Sequence, residues 1–135
     1  MYSIGVRDHI VVAHSSALEA LDPAPRSQGA PCAVAIELEC DELDRRETVI
    51  ESAQLREALR AVLGELDHRD LDKLPAFAEH AVTAEVIVRH IHRELGRRLA
   101  GHRGLLTVTL EPSQASLARY RGPLRNPSLP PPSEA

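Results

Sequence analysis

Between Cys32 and Cys40 the chain alternates without a break: Cys32, Val34, Ile36, Leu38 and Cys40 fall on one side, Glu37 and Glu39 on the other. A strand sends successive side chains to opposite faces, so a period of two marks one face in a core and one in water. That asymmetry points to an antiparallel sheet, because parallel strands are generally covered on both faces. Whatever covers the apolar face must carry an apolar stripe of its own, and the next long segment has one. From Ala53 to Leu66 the period becomes helical, with Leu55, Leu59, Val62, Leu63 and Leu66 on one stripe and Arg56, Glu57 and Arg60 displaced from it.

The same reasoning assigns the remaining elements. Ile4 to His14 reads as a first strand with Val6, Ile10, Val12 and His14 on its more apolar face, followed by a loop rich in Pro, Gly and Ser. Asp41 to Arg46 is a polar turn, and Glu47-Thr48-Val49-Ile50 reads as a short returning strand. A second helix begins after Thr83, whose hydroxyl is placed to cap the free amides, with Glu85 in the positively polarised first turn. Ile87, Ile91, Leu95 and Leu99 form its stripe, and Gly101 and Gly104 stop it. Leu105 to Glu111 alternates again, and a last strand falls near Ala118 to Arg121. From Gly122 onward, half of the ten prolines crowd into a polar segment that cannot pack and is expected to be disordered. The expectation is therefore a single α+β domain over residues 1–121 and a tail over 122–135. Its antiparallel sheet of about four strands carries two helices on one face and leaves two open edges for an oligomer to pair.

Composition narrows the function. With 16 Lys+Arg against 20 Asp+Glu, the net charge of -4 argues against a nucleic-acid binder with a broad basic face. Only Tyr2, Phe77 and Tyr120 are aromatic, so base stacking on an aromatic platform has almost nothing to use. No apolar run approaches the roughly 20 residues that cross a bilayer, and the start lacks a signal-peptide layout, so a cytoplasmic protein without membrane or nucleic-acid partners is expected. Cys32 and Cys40 lie on one extended segment and are expected to be reduced. Arg outnumbers Lys fifteen to one, a bias associated with high-GC genomes and, through them, with specialised metabolism.

Few residues are placed to do chemistry. His90 and His92 are two apart on a helix, roughly 200° around its axis, so they cannot clasp one ion and read as solvated surface residues. His9 and His14 point to opposite faces of the first strand, and His80 and His102 have no partner at ligand spacing. No cluster makes a zinc site on spacing alone. Leu66-Asp67-His68-Arg69-Asp70-Leu71-Asp72 differs, because it sets a histidine among carboxylates where a helix ends. A neighbouring carboxylate fixes the imidazole tautomer and raises its basicity, as proton transfer requires; a histidine stabilising the helix dipole is the plainer alternative. Glu111 closes a strand on its polar face, where its two oxygens match two parallel N–H donors of a guanidine-like or amino-pyrimidinone edge. An ordinary exposed glutamate is the alternative there.

Taken in order, these segments resemble the 6-pyruvoyl-tetrahydropterin synthase and 6-carboxytetrahydropterin synthase family. Ile10-Val11-Val12-Ala13-His14 resembles its first strand and first metal histidine, and Val49-Ile50-Glu51-Ser52-Ala53-Gln54-Leu55 the start of its first helix. Residues 66–72 resemble its "L-D-H-x-x-L-N" motif, Val82-Thr83-Ala84-Glu85 its "P-T-x-E", and Val108-Thr109-Leu110-Glu111-Pro112 the strand ending in its pterin-anchoring glutamate. The resemblance implies the tunnelling fold, in which three protomers close a barrel and two rings stack, with active sites between subunits. It implies Asp67 and His68 as the acid/base pair, and Glu111, with His14 and Thr83, as substrate-binding residues. The family's His-Gly-His aligns with Ala30-Pro31-Cys32, and its catalytic cysteine falls near Arg26 or Ser27. Only His14 and Cys32 remain as metal ligands, where a catalytic zinc generally takes three protein groups.

Three readings compete. A repurposed, metal-independent homo-oligomeric enzyme, trimer or dimer of trimers, would run a lyase, aldolase-like, cyclisation or isomerisation reaction on a small cyclic substrate with no cofactor. A noncatalytic heterocycle-binding or structural homologue would keep the scaffold without turnover. A zinc-dependent pterin synthase would recover Zn2+ through His14, Cys32 and a further ligand.

Overall fold

The computed structural model describes residues 1–12 and 30–124. Its elements run β1 (Tyr2–Val12), β2 (Ala30–Cys40), α1 (Ser52–Gly64), α2 (Ala84–Arg98), β3 (Leu105–Ser113) and β4 (Ser116–Pro123). The strands form one antiparallel sheet in the order β1-β2-β3-β4, so β1 and β4 are the edges. Alternation sorts the sheet as expected: Val6, Ile10, Val12, Cys32, Val34, Ile36, Leu38, Leu106, Val108 and Leu110 are buried beneath the helices. The other face carries Arg7, Glu37, Glu111, Arg119 and Arg121, all exposed.

Each helix covers its own half of the sheet, α1 against β1 and α2 against β3 and β4. Leu55, Leu59, Val62 and Leu63 are the buried stripe of α1, and Ile87, Ile91 and Leu95 that of α2. Thr83 is the N-cap of α2, its Oγ1 accepting the Val86 N–H at 3.2 Å, and Glu85 lies in the first turn. Gly104 ends the connection after α2 at φ +133°, where an added Cβ would stand 2.4 Å from the Glu39 carbonyl oxygen. Neither cysteine forms a disulfide.

Four expectations are corrected. Residues 47–50 are not a strand, because Asp44 ties the segment into a turn. Its carboxylate accepts the Arg46 and Thr48 N–H groups and the Thr48 hydroxyl, and Glu47 takes φ +61°. Ile50 then enters the core as a plug rather than as a strand residue. His90 and His92 are buried, not solvated. They flank the central stripe of α2 on opposite sides, and both flanks are covered. The His90 ring lies 5.0 Å from that of Phe77, while His92 meets the Tyr120 ring edge-on at 4.6 Å and its Nε2 lies 3.0 Å from the Gly122 carbonyl. β3 runs past Glu111 to Ser113 before turning into β4. β4 in turn includes Gly122 and Pro123, and buried Leu124 donates its N–H to the Gly104 carbonyl, so the packed chain extends beyond residue 121. Residues 125–135, with most of the proline-rich segment, lie outside the described residues, as does His14.

Candidate active site

The Asp67-His68 pair stands where α1 gives way to a turn, and its position is set by the backbone of β1. Leu66 and Asp67 direct their N–H groups back to the Leu63 carbonyl, closing the helix. His68 then leaves it with φ +59°, a left-handed conformation that costs an L-residue energy and is common where helices end. Its N–H donates to the Val11 carbonyl at 2.7 Å, and the Val11 N–H donates to Asp67 Oδ1 at 2.7 Å. Val11 pairs with Pro31, which has no N–H to give, and both polar groups of Val11 are spent on the 67–68 segment. The pair is thus latched to the open edge of β1.

The latch also sets the electrostatics. The Val11 N–H holds the Asp67 carboxyl below its ordinary value against the opposing effect of burial, with smaller contributions from the nearby His68 and His9 in the same direction as Val11. His68 Nδ1 lies 3.1 Å from Asp67 Oδ1, with the imidazole itself largely exposed. A proton on Nδ1 directed at the carboxylate leaves the Nε2 lone pair facing outward, the arrangement of a general base with its orienting group. Asp70, from the same motif, is used structurally: its Oδ1 accepts the Asp72 N–H at 3.1 Å and caps a 3-10 turn.

Glu111 is exposed on the uncovered sheet face, paired with Ala33. It borders a concavity of about 730 Å³ that Arg7, Ala35, Glu37, Thr109 and Arg119 also line. Arg119 Nε donates to Thr109 Oγ1 at 3.1 Å, and Arg121 is neutralised by a two-point contact with Glu39. The Glu111 row lies two residues along and two strands across from Val11, about 12 Å between Cα positions. Glu111 and the Asp67-His68 pair therefore share one end of the sheet. Thr83 does not share a hydrogen bond with them, since its hydroxyl is the α2 cap. Sequence reasoning passed over Val11, which acts through its backbone and leaves no side-chain signal. His9, which strand alternation sets apart from His14, is close enough to influence Asp67.

Cys32 is fully buried on the core face, paired with Ile10, and Ala30 offers no donor. Among the described residues, no three His, Cys, Asp or Glu side chains come together as a metal cluster, and His14 lies outside them.

A four-stranded antiparallel sheet with two helices on one face is also the fold of a tetrahydropterin synthase of known structure. The structure of Caenorhabditis elegans 6-pyruvoyl tetrahydropterin synthase matches with a TM-score of 0.68 at 20% identity, over 90% of this chain and 95% of that one. The sequence profile described as 6-pyruvoyl tetrahydropterin synthase matches residues 3–123, and the chain belongs to that family. Compared with curated protein sequences, the chain has no significant match. No helix among the described residues is long and apolar enough to cross a membrane.

Proposed function

We propose that the chain is a repurposed, cytoplasmic member of the family that performs metal-independent acid/base chemistry on a small heterocycle. The observation that carries this reading is the Val11 latch. Two hydrogen bonds of 2.7 Å hold Asp67 ionised and His68 in a strained backbone conformation, with its imidazole free to meet a ligand. An imidazole held by a carboxylate on one nitrogen and open to solvent on the other is placed for proton transfer. In the proposed cycle His68 Nε2 takes a proton from a hydroxyl or from a carbon acid beside the ring, Asp67 stabilises the resulting imidazolium, and Glu111 fixes the heterocycle by its paired N–H edge. The reaction is then a lyase, aldolase-like, cyclisation or isomerisation step. Buried Cys32 makes a zinc-centred route a poor fit to the same residues.

The open edges of β1 and β4 support assembly into a ring through edge pairing, with the site near a subunit boundary. The latch occupies β1 only near Val11 and leaves its first half open for that contact.

The test is incubation of the full chain with 7,8-dihydroneopterin in deuterated water, followed by chromatography and mass spectrometry. Side-chain cleavage or deuterium uptake is expected with the wild type and is expected to vanish in His68→Ala, with assembly unchanged. Asp67→Asn keeps an acceptor for Val11 but loses the charge, so it is expected to slow the reaction severely while the fold persists. Unchanged turnover in His68→Ala removes the catalytic assignment.

A further inference from the structure

Charged side chains border the concavity on the uncovered sheet face, and the strand register says how they stand. Arg7 of β1, Ala35 of β2, Thr109 of β3 and Arg119 of β4 form one row. Arg119 lies back across that row: its Nε–H donates to Thr109 Oγ1 at 3.1 Å, and Thr109, though on the open face, is only 8% exposed. Its guanidinium is thereby positioned by a neutral hydroxyl and keeps its charge, unlike Arg121 one row away, which Glu39 neutralises. Adjacent strands lie about 4.8 Å apart, so the Cα positions of Arg7 and Thr109 are about 10 Å from one another, with only the Ala35 methyl group between them. Glu37 is the next β2 residue on this face, about 6.8 Å along from Ala35, and its β1 partner Gly5 brings no side chain beside it. Among the described residues, none of Arg7, Glu37 and Arg119 takes part in an ion pair.

We infer that Arg7, Arg119 and Glu37 form a binding site for a small zwitterion, its carboxylate held between the two guanidinium groups over Ala35 and its ammonium held by Glu37. Two guanidinium groups on either side of one bare floor offer a carboxylate several N–H donors. A plain anion gains those contacts but is set beside the Glu37 carboxylate, and a plain cation gains Glu37 but is set beside two arginines. A ligand that carries both charges satisfies all three groups. The row spacing of about 6.8 Å favours an ω-amino acid, whose charges stand apart, over an α-amino acid, whose charges share one carbon. At about 730 Å³ the concavity has the ordinary size of a small-molecule site. Glu111 takes no part in this site, so the inference goes beyond the proposed function and does not depend on the heterocycle anchor.

The experiment is isothermal titration calorimetry of the full chain at neutral pH with 4-aminobutyrate, butyrate and butylamine, which share one carbon chain and differ in the charges they carry. Circular dichroism verifies that each variant is folded. The wild type is expected to bind 4-aminobutyrate at least about tenfold more tightly than either singly charged probe. Arg7→Gln and Arg119→Gln are each expected to weaken 4-aminobutyrate about tenfold, and Glu37→Gln to reduce it to the affinity of butyrate. Arg89→Gln, exposed on α2 on the opposite side of the sheet, is expected to leave it within about twofold. Butyrate bound as tightly as 4-aminobutyrate overturns the zwitterion assignment. A loss in Arg89→Gln as large as that in Arg7→Gln reduces the site to general charge attraction and overturns it as well, as does the absence of binding tighter than about 10 mM.

Discussion

Replacing His68 by glycine is expected to leave a more stable protein than replacing it by alanine, the reverse of the usual order. His68 sits at φ +59° because its N–H must reach the Val11 carbonyl, and that hydrogen bond uses the backbone alone. The left-handed conformation costs an L-residue about 1–2 kcal/mol and glycine almost nothing. Glycine in turn gives up about 0.5–1 kcal/mol of extra chain entropy on folding. The difference favours His68→Gly over His68→Ala by about 1 kcal/mol, or about 3–4 °C in Tm for a domain of this size. Both variants lose the contact to Asp67, which at 3.1 Å between two well-exposed side chains is worth at most about 1 kcal/mol, so it cancels from the comparison. Thermal unfolding by circular dichroism, at matched protein concentration because assembly adds stability, gives the order directly. Both variants are expected to be inactive, so stability and turnover separate at this position. An alanine variant as stable as the glycine variant, or more so, refutes the claim that the latch strains His68.

Other sites give independent checks. Asp67 has its carboxyl held below the ordinary value of 3.8, so it contributes stability above that pH, and the contribution is lost as pH falls through the lower folded value. Asp67→Asn is expected to lower Tm at neutral pH and flatten the acid limb of an unfolding profile. Burial pushes the His90 imidazole below 6.5, with Glu94 and Glu65 opposing and Arg93 and Arg97 assisting the shift. Between that folded value and 6.5 the unfolded chain binds more protons, so stability falls as pH drops through this window, and His90→Leu is expected to abolish that slope in Tm measured against pH. Gly104→Ala would set a Cβ 2.4 Å from the Glu39 carbonyl oxygen and is expected to cost about 2–4 kcal/mol, whereas Gly96→Ala, with open space around it on α2, is expected to stabilise by up to about 1 kcal/mol in denaturant titrations.

Local pattern carried far in this chain. The alternation of Cys32 to Cys40 and of Leu105 to Glu111, the leucine stripe of α1 and the Thr83 cap all reappear in the folded chain, because each depends on residues within one or two turns or along one strand. Where a nearby polar group competes, pattern misleads. Val49 and Ile50 look like strand residues, but the Asp44 carboxylate reaches the Thr48 amide first and turns the chain. His90 and His92 look polar by residue type, yet a helix lying across a sheet and beside the Phe77 turn covers more than its central stripe.

The chemistry of the site divides the same way. Residue order alone singled out Asp67, His68 and Glu111 as groups able to move a proton or hold an N–H edge, since carboxylate and imidazole chemistry is a property of the side chains. That Asp67 and His68 fasten to Val11, that Cys32 is sealed in the core, and that Ala33 stands beside Glu111 were decided by tertiary structure. These relations are set by sheet order, register and backbone hydrogen bonds between residues as many as 78 apart in the row from Ala33 to Glu111. No periodicity within a single segment encodes which residue of another strand will stand beside it.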